Sequence, residues 1–159
     1  MMHQEKDLRK YAQLLLPKYG LRKTSCRVSV LELLMQNEYA LAHTDLEKQL
    51  GNEYDRVTLY RTLHSFKEQG LVHSITDING IVKYAMCREA CNNLQHQHDH
   101  VHFSCNSCNQ TYCLDELRLQ PFALPQGYIV NDVQFTVQGI CKSCNSHDQT
   151  QPNQYSVTS

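Results

Sequence analysis

The stretch DRVTLYRTLHSFKEQGLVHSITDINGIVKYAM, Asp55 to Met86, decides the architecture of the N-terminal half. Asp55 can cap a helix, and Gly70 stops the helix that it opens. Leu59, Leu63 and Phe66 recur at i, i+4 and i+7, which places them on one inner face. At about 100° per residue, Arg61 and His64 point away from that face, flanked by Tyr60 and Lys67. Leu71 to Thr76 reads as a strand and Asp77-Ile78-Asn79-Gly80 as a turn carrying the Asn-Gly hairpin signal. Ile81 to Met86 is the return strand.

Working outward, the preceding chain is helical. Asp7 to Leu16 forms a short helix stopped near Pro17 and Gly20. Arg27 to Gln36 sets Val28, Leu31, Leu34 and Met35 on one side. Thr44-Asp45-Leu46-Glu47 is a capping box for a short helix that ends at Gly51. The last three of these four helices followed by the hairpin give the order of a winged helix, in which the helix before the hairpin reads the major groove. An amphipathic helix in an ordinary small α+β domain has the same pattern, so this stretch alone leaves both readings open.

The chain has 159 residues, enough for one medium domain or two small ones. It holds no apolar run of the ~18 residues that a membrane span needs, and its charged N-terminus lacks the apolar core of a signal peptide. The expectation is a cytoplasmic protein without a membrane partner. Eight cysteines accompanied by nine histidines then read as metal ligation rather than as a disulfide framework. Net charge is −1, and residues 1–75 carry 11 Lys and Arg against 9 Asp and Glu, a weak pointer toward a polyanion. Composition changes at Cys87. The expected organisation is α+β: a winged helix-turn-helix domain over 1–86, a hinge over 87–99, a small α/β domain over 100–145 and a disordered tail over 146–159.

Two CxxC pairs, Cys105/Cys108 and Cys141/Cys144, are separated by 32 residues. Each pair offers two thiolates, and four complete a tetrahedral structural zinc site. An all-cysteine shell leaves no open position, so this centre is neither catalytic nor the sensor. His96, His98, His100 and His102 alternate along the chain and would share one face of a strand. At ~3.3 Å per residue the outer two lie about 20 Å apart, so only neighbouring pairs can chelate. His100 and His102 are the better pair, because they run into Cys105. Further ligands could come from His73, Cys87, His43 or Cys113. Each of three has a plain alternative: His73 as a surface strand residue, His43 as an exposed loop residue, and Cys113 as a small buried hydrophobe. Cys26 and Cys91 are left without a role.

The helix-and-strand run TLYRTLHSFKEQGLV (Thr58 to Val72), HVHFSC (His100 to Cys105) and the two CxxC pairs together resemble the ferric uptake regulator family of bacterial metalloregulators, over roughly residues 5–145. The resemblance implies a homodimer binding double-stranded operator DNA, with a C-terminal dimerisation domain and metal between the halves. It implies that Tyr60 and Arg61 contact DNA and that Arg22, ahead of the second helix, approaches the minor groove; His64, on the same outward face of the helix, is counted with them. Arg61 could meet a phosphate or a guanine edge. In motif the chain is closest to the zinc uptake regulator branch, which implies regulatory zinc on His73, Cys87, His100 and His102. Histidine at 73 departs from the aspartate common there. Iron and peroxide sensors instead imply a set including His43 and the position of Cys113. In this chain the acid positions of those sensors hold Ala85 and Cys113, and Val101 stands between the histidines. Trading oxygen donors for sulfur shifts preference from Fe(II) toward Zn(II); Fe(II) is the alternative regulatory ion. Leu114 to Gly127 contains Pro121 and Pro125, so the helix usual in the family is expected to be short or replaced by extended chain. No HExxH or HxE…PCxxC pattern is present, which argues against an enzyme and a small-molecule substrate.

Overall fold

The computed structural model describes residues 2–86, 100–118, 120, 123–131 and 133–146. The hinge 87–99, with Cys87, Cys91, His96 and His98, and the tail beyond 146 lie outside the described residues.

The N-terminal half runs α1 (Met2–Lys18), α2 (Ser25–Gln36), β1 (Leu41–Ala42), α3 (His43–Leu50), α4 (Arg56–Glu68), β2 (Val72–Thr76) and β3 (Val82–Met86). The three strands form an antiparallel sheet in the order β1-β3-β2. Helix α4 starts where Asp55 accepts from the Thr58 amide at 2.9 Å. It ends at Gly70, whose φ of 71° suits a residue without a Cβ. There the Leu71 amide reaches back to Phe66 O at 2.9 Å and the Gly70 amide to Lys67 O at 3.0 Å. Leu59, Leu63 and Phe66 are wholly buried against Leu16, Leu31, Leu46 and Leu71, the centre of one core.

Three local expectations change. Helix α1 passes through Pro17 to Lys18, because Pro17 falls in its last turn and Leu21 N and Gly20 N close that turn on Leu16 O and Pro17 O. Helix α3 begins at His43, and its start is held one way only, by the Asp45 carboxylate accepting from the Ala42 amide at 2.8 Å, not by a bond from Thr44. The hairpin loop is a turn from Asp77 to Gly80 in which Gly80 alone has positive φ, 77°, so Asn-Gly does not form the two-residue loop.

The C-terminal half runs β4 (His100–Cys105), β5 (Thr111–Arg118), β6 (Phe135–Gly139) and the single turn α5 (Lys142–Asn145). The sheet order is β5-β4-β6, with β4 antiparallel to β5 and parallel to β6. Thr111–Arg118 is strand, and the described residues between 119 and 134 contain no helix. Residues 39–42 join the two sheets: Tyr39 bridges Tyr112 and the Ala40 amide donates to Thr111 O at 2.8 Å, while Leu41 and Ala42 pair with Tyr84 and Lys83. Among the described residues no helix is long and apolar enough to cross a membrane.

Candidate metal centres

Strand direction gathers the four cysteines. With β4 and β6 parallel and Cys105 opposite Gly139, both CxxC turns leave the same edge of the sheet. After β4 the chain folds back through Asn109, at φ 59°, with Cys105 N donating to Gln110 O at 2.9 Å and Asn109 N to Cys105 O at 3.0 Å. After β6, Cys141 sits at the start of α5 and Cys144 within it. The sulfurs of Cys105, Cys108, Cys141 and Cys144 all lie within 4.8 Å of one another, and those of Cys108 and Cys141 are 3.8 Å apart. Tetrahedral zinc with Zn–S near 2.3 Å has S···S edges of roughly 3.8 Å, so the residues fit the ion.

The backbone prepares these sulfurs for a cation. Burial pushes the Cys105 thiol up, but the amides of Cys108, Cys141 and Ser107 more than offset it and bring it down to about 6. The amide of Cys144, against the opposing effect of burial, lowers Cys141. Burial and the neighbouring sulfurs push Cys108 up to about 11 in the absence of a cation. Tyr112, which the sequence did not single out, donates its hydroxyl to Gln110 Oε1 at 2.6 Å and to Cys141 Sγ at 3.8 Å.

The second centre lies between the halves. His73 comes from β2, His100 and His102 from β4, and Cys113 from β5, and their ligand atoms again lie within 4.8 Å of one another. Cross-strand register explains the grouping, because His102 pairs with Cys113. A bulge between His100 and Val101 interrupts that ladder beside the site. His73 Nε2 is 3.3 Å from His102 Nε2 and 3.3 Å from Cys113 Sγ. Those distances match the roughly 3.3–3.6 Å edges of a tetrahedral zinc site with nitrogen and sulfur ligands. His73 is 4% exposed and His102 1%, so a bound ion would be withdrawn from solvent. Asp115 Oδ1 stands 3.9 Å from His100 Nε2 at the rim.

Of the four regulatory ligands named from sequence, the structure brings together His73, His100 and His102; Cys87 is outside the described residues, and Cys113 stands with them. His43 and Cys113, grouped as the alternative set, are not brought together. His43 Nε2 donates to Arg56 O at 3.1 Å and its Nδ1 is 3.5 Å from Glu47, so this ring fastens α3 to the start of α4. Tyr60, Arg61 and His64 are exposed on the outer face of α4, and Arg22 is exposed in the link before α2. His64 Nδ1 is 3.3 Å from Glu68 Oε2. A groove of about 910 Å³ runs between α4 and β3, with His43, Tyr60, Lys67 and Tyr84 on its walls. The sequence places Asp77 in the hairpin turn and Lys83 in the return strand but gives their pairing no role; the available signal is a lone lysine inside an apolar strand.

A helical half with a hairpin, a three-stranded half and a His/Cys cluster between them give a fold with two clusters that could hold a metal ion. The chain belongs to the ferric uptake regulator family, a family of metal-responsive transcription regulators, whose model matches residues 18–140. It is 30% identical over 138 residues to a ferric uptake regulation protein of Staphylococcus aureus, covering 82% of this chain and 93% of that one. A Staphylococcus epidermidis protein of the same description is 28% identical over 133 residues, covering 80% and 90%. Among solved structures, a zinc uptake regulator complexed with zinc and DNA superimposes with a TM-score of 0.62 at 19% identity, covering 90% of this chain and 96% of that one. The Vibrio cholerae ferric uptake regulator gives 0.54 at 21% identity, covering 81% and 98%.

Proposed function

We propose that this protein is a metal-dependent transcriptional repressor that binds operator DNA as a homodimer when its regulatory ion, zinc, is held by His73, His100, His102 and Cys113. One observation carries the reading: ligands from the hairpin of one half and from the sheet of the other converge within 4.8 Å. A zinc ion there supplies Lewis-acid bonding to donors from both halves. The chain's own part is to hold residues 1–86, the winged DNA-binding domain, at a set angle to residues 100–145, the dimerisation domain. Two recognition helices must sit about 34 Å apart to enter successive major grooves, so fixing that angle in each protomer raises operator affinity. Three imidazoles and a thiolate favour zinc over iron or manganese, which seek carboxylates. Cys87 is a competing donor for the same ion. The four-cysteine centre holds a structural zinc.

The DNA face is the outer surface of α4. Arg61 and Tyr60 contact the duplex there, with His64 one turn further along and Arg22 approaching the minor groove from the link before α2. The dimer forms through the C-terminal half, where Val137 and Ile140 are half-exposed at the end of the sheet and Tyr128 and Ile129 are 71% and 89% exposed in the single chain. Apolar surface of that kind calls for a partner.

Fluorescence anisotropy on DNA from the protein's own promoter region tests the reading, with free Zn(II) and Fe(II) buffered separately at fixed salt without oxygen. Zinc switching binding on at far lower free concentration than iron is the expected result. Iron alone working overturns the ion assignment but not the regulator; no specific binding with either overturns the regulator. His73→Ala and Cys113→Ser should each abolish zinc-dependent binding. If Cys87→Ser abolishes it and Cys113→Ser does not, the fourth ligand is Cys87.

A further inference from the structure

Beside the strand pairing of residues 39–42, a buried lysine joins the halves without any metal ligand. Lys83, in β3, is 6% exposed. Its ammonium lies 3.1 Å from Asp77 Oδ2 and donates to Asn109 O at 2.5 Å and to Thr111 Oγ1 at 3.2 Å. All three ammonium protons therefore have acceptors, the condition under which a buried lysine is tolerated. The other Asp77 oxygen accepts from the amides of Asn79 and Ile81, each at 2.9 Å, so the same carboxylate folds the hairpin loop. On the far side, Thr111 Oγ1 is 3.2 Å from Ser104 Oγ, the residue before Cys105. Asn109 directly follows Cys108 and is held by the Cys105 turn. A polar chain thus runs from the hairpin loop, across the boundary, to the four-cysteine turn.

We propose that Lys83 and Asp77 form a latch that seats the hairpin on the Cys105–Cys108 turn, so that order in the four-cysteine centre pre-positions His73 for the second centre. Lys83 pairs with Ile75 and Ala85 with His73, so the latch and the ligand sit two residues apart along the same ladder. The hairpin is held near its tip by Lys83 and near its mouth by His73. A hairpin already docked at one end loses less freedom when the other end is fixed. Lys83 and Asp77 are positioning residues: neither offers a ligand to the ion. The proposal rests on reading the His73 cluster as the regulatory site.

The test uses the full-length protein carrying zinc on its four cysteines. Asp77→Asn/Lys83→Met removes both charges together, so neither is left buried alone. Thr111→Val approaches the same contact from the other half and keeps the side-chain shape. Two readouts are taken: zinc affinity of the second centre by chelator competition, and amide hydrogen exchange without zinc at that centre. The double variant should keep its first zinc, lose about tenfold in affinity for the second, and exchange faster over both 72–86 and 106–112. Thr111→Val should speed exchange in 77–83 although it lies in the other half. Wild-type second-site affinity and wild-type exchange in the double variant overturn the latch. If the double variant does not fold, unchanged exchange at 77–83 in Thr111→Val overturns it. Failure of the wild-type protein to bind DNA with zinc strikes the regulatory reading alone, since exchange still decides the latch.

Discussion

Cys26 and Cys113 make opposite uses of a thiol. Cys26 is buried under α4 with its sulfur 3.5 Å from Thr62 Oγ1, and burial pushes its thiol up against the smaller effect of that hydrogen bond. Cys113 is half-buried and opens on a cleft of about 290 Å³ between α1, α2 and β3. Alkylation by iodoacetamide near neutral pH, mapped by peptide mass spectrometry, should therefore label Cys113 in protein lacking the second zinc and spare it once zinc is added. Cys26 should stay unlabelled in both. Equal labelling of Cys113 with and without zinc removes it from the ligand set. Spacing explains what could be read in advance. The CxxC pairs and His100/His102 are local patterns that a metal imposes on a few adjacent residues. The meeting of His73 with Cys113 joins positions 40 apart on different sheets, and nothing local announces it. Lys83 was hidden for another reason: its partner Asn109 offers a backbone carbonyl, which every residue has.

Helix α4 was the most legible element, because its cap, inner face and terminating glycine all agree. Its cap also predicts an acid response. Hydrogen bonds from the Thr58 hydroxyl and amide lower the Asp55 carboxyl below its ordinary value. A group depressed in the folded state adds stability above its unfolded pKa, near 3.9, and loses it as pH falls through the folded value. Asp55→Ala should lower the melting temperature at pH 7, and thermal melts followed by circular dichroism should converge with the parent as pH drops below that window. A constant offset at all pH values contradicts the assignment. On the outer face, Arg61→Ala should weaken operator binding by about 1–3 kcal/mol if it meets a base edge, and flatten the salt dependence if it meets a phosphate. Strand β3 was the least legible. Alternation puts apolar residues inward, yet Val82 is exposed and Lys83 buried, because the second sheet supplies acceptors that no reading of β3 alone contains.

At the scale of the whole molecule, the proposed dimer and the proposed structural zinc can be tested separately. If the proposed dimer forms through this surface, Ile129→Asp should give a monomer in sedimentation and weaken DNA binding while leaving zinc on the four cysteines; a dimer that persists in the variant moves the interface elsewhere. Stripping that zinc with a strong chelator should remove apparent binding energy on the order of 10–16 kcal/mol and unfold 100–146 before 2–86, seen as early loss of protection in β4 and β6. Residues 39–42 bear on a different matter, the kinds of sequence change the protein can survive. That short run pairs with β5 at one end and β3 at the other, so a single inserted or deleted residue would turn one set of side chains over relative to its sheet. Its length is held more tightly than its composition: small residues could replace Ala40 or Ala42, whereas a lineage gaining or losing one codon there would have to give up the pairing with one sheet or the other.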